Sequence, residues 1–284
     1  MVTAVTAGHV ISTEKISAGE YLSYRYKALT EPVTLPLPDE PFTALWKEAA
    51  GEDAMQFLSD TFKLPVDRFP LLQPDAIKIY FASTSGGRIP VISTGCHDDF
   101  CYMEALLDGR SESRELPLTI NAFTMEAKAP QLHNSRLILL GNAPYSNVPG
   151  SALGLDEADW LCRSTALRLA HECTHYETLR LWGSMQNHAL DEIAADVMGQ
   201  LAAFGSFSAQ RQRLFFGLEN EGKSCTGRLT FYCRKVLPWE RTEVYQAVDR
   251  ALDIAEAKVA ELCKEKASKY IILTNLICNN ITKK

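Results

Sequence analysis

The chain is 284 residues long, with 46% hydrophobic and 23% charged residues and a formal net charge of -6. That length supports one large domain or two lobes around a cleft, and the composition is that of an ordinary soluble globular protein. An acidic balance without long single-sign runs argues against a nucleic-acid-binding surface, so no nucleic-acid partner is expected.

Residues 1–19 include Glu14 and Lys15 and no unbroken apolar run, so they do not read as a secretory signal. The longest apolar stretches are too short to span a bilayer, which makes a cytoplasmic location without a membrane partner the expectation. Eight cysteines are scattered without the dense spacing of a small secreted scaffold, and most read as free buried thiols.

Pro32, Pro36, Pro38 and Pro41 break up residues 31–41 into an irregular connector. Two short helices are expected at 42–50 and 53–62. Ile77, Ile79 and Phe81 then alternate with Lys78 and Tyr80, and Gly86-Gly87 can turn the chain into a second strand at 89–92. A short helix at 98–107 precedes strand candidates at 118–125 and 136–140. Cys96-His97-Asp98-Asp99-Phe100-Cys101 carries metal-capable side chains, but a helix N-terminus with Asp caps explains it better than a zinc site. Residues 141–154 read as a loop.

Beyond that loop nearly everything has helical periodicity. Residues 156–181 form one long helix, acidic at its start and followed by Gly183. Asn187 is a plausible N-cap for a second helix running to about Phe204. Shorter helices are expected at 208–218 and 227–236. Residues 239–267 make a long amphipathic helix with Val244, Val248, Ala251, Ala255, Val259 and Leu262 in its apolar stripe. Two basic clusters, at 264–269 and at Lys283-Lys284, read as solvated ends. The expected fold class is α+β: an N-terminal mixed α/β lobe with a small sheet (1–150), then a helical C-terminal lobe (151–284).

The chemistry-bearing stretch is His171-Glu172-Cys173-Thr174-His175, an H-E-x-x-H pattern inside a helix. Residues four apart share a helix face, so both imidazoles can reach one ion at roughly 2.0–2.1 Å. Glu172 lies beside His171 in angle and can reach a water on that ion without being a ligand, as metal-assisted hydrolysis needs. An accidental match is expected in roughly one sequence in a hundred of this length and composition. A catalytic site needs a third ligand and an open position. The next helix supplies Asp191, Glu192 and Asp196, with Glu192 sixteen intervening residues after His175 and Asp196 one turn further on the same face. Asp196 is well placed to accept the outer N–H of a liganding histidine. His188, one turn before Glu192, competes as third ligand or could orient substrate.

This combination, His171-Glu172-Cys173-Thr174-His175 followed by Asp191-Glu192-Ile193-Ala194-Ala195-Asp196, resembles the gluzincin-type (thermolysin-like) zinc metallopeptidases over residues 170–199. The resemblance implies Zn2+ held by His171, His175 and Glu192, Glu172 as base and acid, and Asp196 supporting a ligand. It also implies a zincin-like site in a cleft between the lobes. The connection to the third ligand is tighter than is usual in the family, and Asp191 stands where Asn is common. The downstream histidine that stabilises the oxyanion in the resembled enzymes is missing, since no histidine follows His188. Tyr232, Tyr245, Arg234 and Tyr176 are candidates for that donor. The expected function is a metallopeptidase acting on a peptide or protein substrate, with an edge strand such as 118–125 binding it in extended form. A zinc hydrolase of another amide or ester, and a non-catalytic zinc-binding protein, are the alternatives.

Overall fold

In the computed structural model the described residues are 14–49, 51–185, 188–279 and 281. The described chain divides into two units, one built from Thr34–Ala143 and the other from Ser12–Val33 with Pro144–Lys284. The boundary thus lies a few residues before the expected 150, and an N-terminal stretch expected in the first lobe belongs with the second unit. The reason is burial. Tyr21 and Tyr26 sink into an apolar cluster with Leu190, Ile193, Val248 and Ile277, and the Tyr26 N–H donates to the Ile277 carbonyl at 3.1 Å. A short helix, α1 (Ala18–Leu22), capped by the Ser17 hydroxyl, lies in that stretch.

The first unit opens on a 3-10 helix, Pro41–Ala49, at the place of the short helix expected over 42–50; Ala50 lies outside the described residues. The helix α2 (Ala54–Phe62) follows, its Asp53 cap accepting the Gln56 N–H at 2.8 Å. Strands β1 (Lys78–Thr84) and β2 (Gly87–Ser93) pair antiparallel around the tight turn between Thr84 and Gly87. The helix α3 (His97–Leu107) leads to β3 (Ala122–Glu126) and β4 (Arg136–Leu140). The strand order is β1-β2-β4-β3, with β2 and β4 parallel and the other pairs antiparallel. β3 is therefore an edge strand. It starts at Ala122 rather than 118 because the chain before it is turned, with the Ile120 N–H on the Pro117 carbonyl at 2.8 Å. Trp46, Phe57, Ile92, Phe100 and Leu139 form this unit's core.

Helix α3 corrects one expectation. Its N-cap is Cys96, which makes no side-chain cap bond. Asp99 instead accepts the Leu72 and Gln73 N–H groups at 2.7 and 2.8 Å, anchoring the preceding loop. The His97 ring nitrogens face the Leu116 carbonyl and Asn121 at 2.9 and 3.3 Å, so this cluster is structural.

The second unit is helical: α4 (Glu157–Trp182), α5 (Ala189–Phe204), α6 (Ala209–Phe216), a small hairpin of β5 (Leu218–Glu219) and β6 (Ser224–Cys225), α7 (Leu229–Tyr232), α8 (Arg241–Lys264) and α9 (Lys269–Cys278). Asp156 caps α4 through the Ala158 and Asp159 N–H groups, and left-handed Gly183 ends it. The expected helix at 227–236 shrinks to α7, and α9 forms in a stretch where none was expected. Asn187 lies outside the described residues; the N-cap of α5 is His188. At Gly199 on α5 a Cβ would stand 2.8 Å from the Leu167 carbonyl of α4, so only glycine permits this approach of the two helices.

All eight cysteines are free, as expected, but only Cys101 and Cys233 are fully buried. Among the described residues no helix is long and apolar enough to cross a membrane.

Candidate metal centre

Helix α4 buries an unusual face. Ser164, Arg168, His171, Glu172, Thr174, His175, Glu177 and Thr178 are all buried, at spacings that bring 164, 168, 171, 175 and 178 to one side. A helix normally turns apolar residues inward. Burying these groups costs free energy unless each finds a partner, so the face must be read through its partners.

His171, His175 and Glu192 converge and could hold a metal ion. The two Nε2 atoms are 3.0 Å apart, and Glu192 places one carboxylate oxygen 3.5 Å from His171 Nε2 and the other 3.4 Å from His175 Nε2. Ligand atoms around a tetrahedral ion at 2.0–2.1 Å lie about 3.3 Å from one another, and one ligand atom from each of the three residues lies within 4.8 Å of the other two, so they could gather round one ion. Glu192 Oε2 is buried without a hydrogen-bond partner among the described residues, and its nearest fixed charge is the Arg228 guanidinium, an ion pair at 3.5 Å. Burial works against a charged His175, but Glu192, Glu172 and Asp191 outweigh it and raise the imidazole to about 9. Burial also opposes ionisation of Glu192, yet His175, His171 and Arg228 hold its carboxyl below the usual range. A cation would displace the proton this cluster retains.

Behind His171 stands Asp196, whose Oδ1 is 2.7 Å from Nδ1. That bond directs the Nε2 lone pair toward Glu192 and His175. Asp196 also accepts from the Tyr145 hydroxyl, from Gln212 and from Arg228. Against the cost of burial, Arg228, His171 and Tyr145 hold its carboxyl down at about 2. Gln212 is fixed in turn by Gln200, which donates to its amide oxygen at 2.9 Å. Arg228 enters because Gly227 lies against the chain at Phe216 and Gly217, where a Cβ would be 2.6 Å from the Phe216 carbonyl. Its guanidinium covers the Tyr145 and Phe216 rings at 4.9 and 5.2 Å.

The other expected site residues divide. Glu172 is buried on the ligand-bearing helix, where its charge acts on Arg168 and His175. Tyr232 is brought close to Glu192, and burial together with the charge of that carboxylate raises its hydroxyl well above the ordinary range. His188 is not brought in. Its Nδ1 accepts the Leu190 N–H and its Nε2 faces the Tyr21 carbonyl, both at 3.0 Å, while its ring stacks on Tyr21 at 3.9 Å. Burial pushes it down to about 4. Tyr245 packs in the apolar cluster of α8. The Tyr176 hydroxyl accepts from Arg180 at 2.9 Å, and the exposed Arg234 covers Phe231. Asp191 is buried beside Glu192, and burial above all raises it to about 7.

Tyr145, Gln212, Arg228 and Arg168 escaped the sequence reading. They come from the loop before α4, from α6, from the entry to α7 and from α4 itself, at separations no local pattern links. The one available signal is Arg168, a charge one turn before His171 in a segment whose other side is apolar.

No curated protein and no solved structure matches this chain. Residues 118–280, a stretch that contains every residue of the cluster, match a family described as "Family of unknown function (DUF7005)". The match spans more than half of the sequence, and the chain belongs to that family.

Proposed function

We propose that the chain is a zinc-dependent hydrolase, most specifically a metallopeptidase. The observation that supports this is the convergence of His171, His175 and Glu192, with Glu172 on the same helix. Two imidazoles and one carboxylate suit Zn2+ better than the all-oxygen preference of Mg2+ or Ca2+. When bound, such an ion supplies Lewis acidity toward a carbonyl oxygen and toward water.

The chain's own residues do the rest. His171, His175 and Glu192 hold the ion, and Asp196 fixes the first of these rings. Glu172 takes a proton from the attacking water and passes it to the leaving amine. Tyr232, close enough to Glu192 to feel its charge, is the hydroxyl we assign to the developing oxyanion. His188 and Tyr245 take no part, because the one caps a helix and the other fills a core.

The test pairs metal analysis with turnover. Protein purified without chelator carries about one zinc per chain and cleaves members of a peptide library. Glu172→Gln keeps the zinc and loses roughly 10²–10⁴-fold in kcat. A protein that binds no zinc when it is supplied overturns the reading. Activity toward simple amides or esters but no peptide restricts it to the broader hydrolase class.

A further inference from the structure

We propose that Tyr145 is a positioning residue of the metal centre: its hydroxyl, with Asp196, locks His171 as the Nδ1–H tautomer and leaves Nε2 for the cation. The inference rests on the reading of His171, His175 and Glu192 as ligands. Tyr145 belongs to neither motif helix. It lies 26 residues before His171 and 51 before Asp196, yet its hydroxyl reaches both.

His171 Nδ1 faces Asp196 Oδ1 at 2.7 Å and the Tyr145 hydroxyl oxygen at 3.0 Å. Asp196 is paired with Arg228 and has no proton to give. Its Oδ2 is occupied by Gln212 and Arg228, so the Tyr145 proton goes to Oδ1. The phenol then offers Nδ1 only a lone pair. Facing two acceptors, Nδ1 must carry a proton, so in the neutral ring, the form that can bind a cation, Nε2 is the bare nitrogen. A phenol free to rotate could donate to Nδ1 instead and reverse the tautomer, disabling the ligand.

Tyr145 is not free to rotate. Its N–H donates to the buried Ser164 hydroxyl at 3.0 Å. Its ring meets Phe215 edge-on at 5.2 Å between centroids. The guanidinium groups of Arg168 and Arg228 lie 5.9 and 4.9 Å from its ring centroid. Packing alone would be served equally by phenylalanine, since Tyr145 sits in an apolar cluster with Trp160, Leu167 and Phe215. The hydroxyl is what the proposal concerns.

Tyr145→Phe therefore separates the two roles. The measurements are the Zn2+ dissociation constant, by competition with a chromophoric chelator, and the visible spectrum of the Co2+ form. Tyr145→Phe is expected to keep the far-ultraviolet circular dichroism of the wild type, to bind Zn2+ roughly 10–100-fold more weakly and to show altered Co2+ bands. Ser164→Ala keeps the phenol but frees its backbone anchor, and loses affinity in the same direction by a smaller factor. Wild-type affinity and an unchanged Co2+ spectrum in Tyr145→Phe overturn the proposal while leaving the metal site standing. Failure of the wild type to bind Zn2+ or Co2+ overturns both.

Discussion

Two long helices of the second unit make a useful pair. Helix α8 buries Val244, Val248, Ala251, Leu252, Ala255, Val259 and Leu262, so its inward face is apolar. Helix α4 is of similar length but turns Arg168, His171, Glu172 and His175 inward. Desolvation drives the first into place at about 25 cal/mol per Å² of apolar surface. The second also buries Trp160, Leu167 and Tyr176, but its polar face depends on Asp196, Glu192 and Tyr145 to satisfy what it buries. Damage to α8 should therefore lower stability and leave metal binding alone. Damage to the partners of α4 should alter both.

The sharpest way to break this contrast is Asp196→Ala. It leaves Arg228 without its main partner in a buried setting and removes the acceptor from His171 Nδ1. A loss of about 3–5 kcal/mol is expected in urea denaturation, together with weakened Zn2+ binding. A loss below 1 kcal/mol would mean that the polar face of α4 carries no special dependence on its partners.

Leu252→Ala, on α8, is the counterpart. It should cost about 2–5 kcal/mol through the cavity it opens, with the Zn2+ dissociation constant of the folded fraction unchanged. A matching loss of metal affinity would show that the two helices are not energetically distinct.

His188 offers a pH test on the start of α5. Burial lowers it from 6.5 to about 4, so between these values the unfolded chain binds more protons than the folded one. Stability is retained in full above pH 6.5 and falls as pH drops toward 4, by up to about 3 kcal/mol. Protonated Nδ1 would also lose its bond from the Leu190 N–H. His188→Asn can still cap the helix and should flatten that slope in metal-free protein, read as the denaturation midpoint against pH.

The smallest effect is expected at Gly199→Ala, where the added methyl pushes against Leu167 of α4. About 1–3 kcal/mol of destabilisation should follow. Because Gly199 lies on the helix that carries Glu192, a modest weakening of Zn2+ binding should accompany it. Unchanged affinity would show that the ligand ends of the helices tolerate the displacement.

Local chemistry was legible where one segment held all of it. The stripe of α8, the Asp156 and Gly183 ends of α4, the β1–β2 turn and β4 could be read from periodicity and turn residues. The H-E-x-x-H spacing and the acidic residues of α5 named the three potential ligands, because one helical turn fixes His171 against His175 whatever the rest of the chain does. The sequence could not tell that His188 is a cap: the Tyr21 it stacks on comes from a stretch 167 residues away. Nor could it distinguish Tyr232, which comes close to Glu192, from Tyr245, which fills a core; both are tyrosines on helices of the same region.

By itself, then, the sequence determined the helix carrying His171, Glu172 and His175, and the acidic helix after it, since both follow from short-range geometry. Only the tertiary structure decided which groups complete the site. Tyr145, Gln212 and Arg228 converge on Asp196 because a buried carboxylate must be paid in donors, and the chain brings those donors from segments that no periodicity connects.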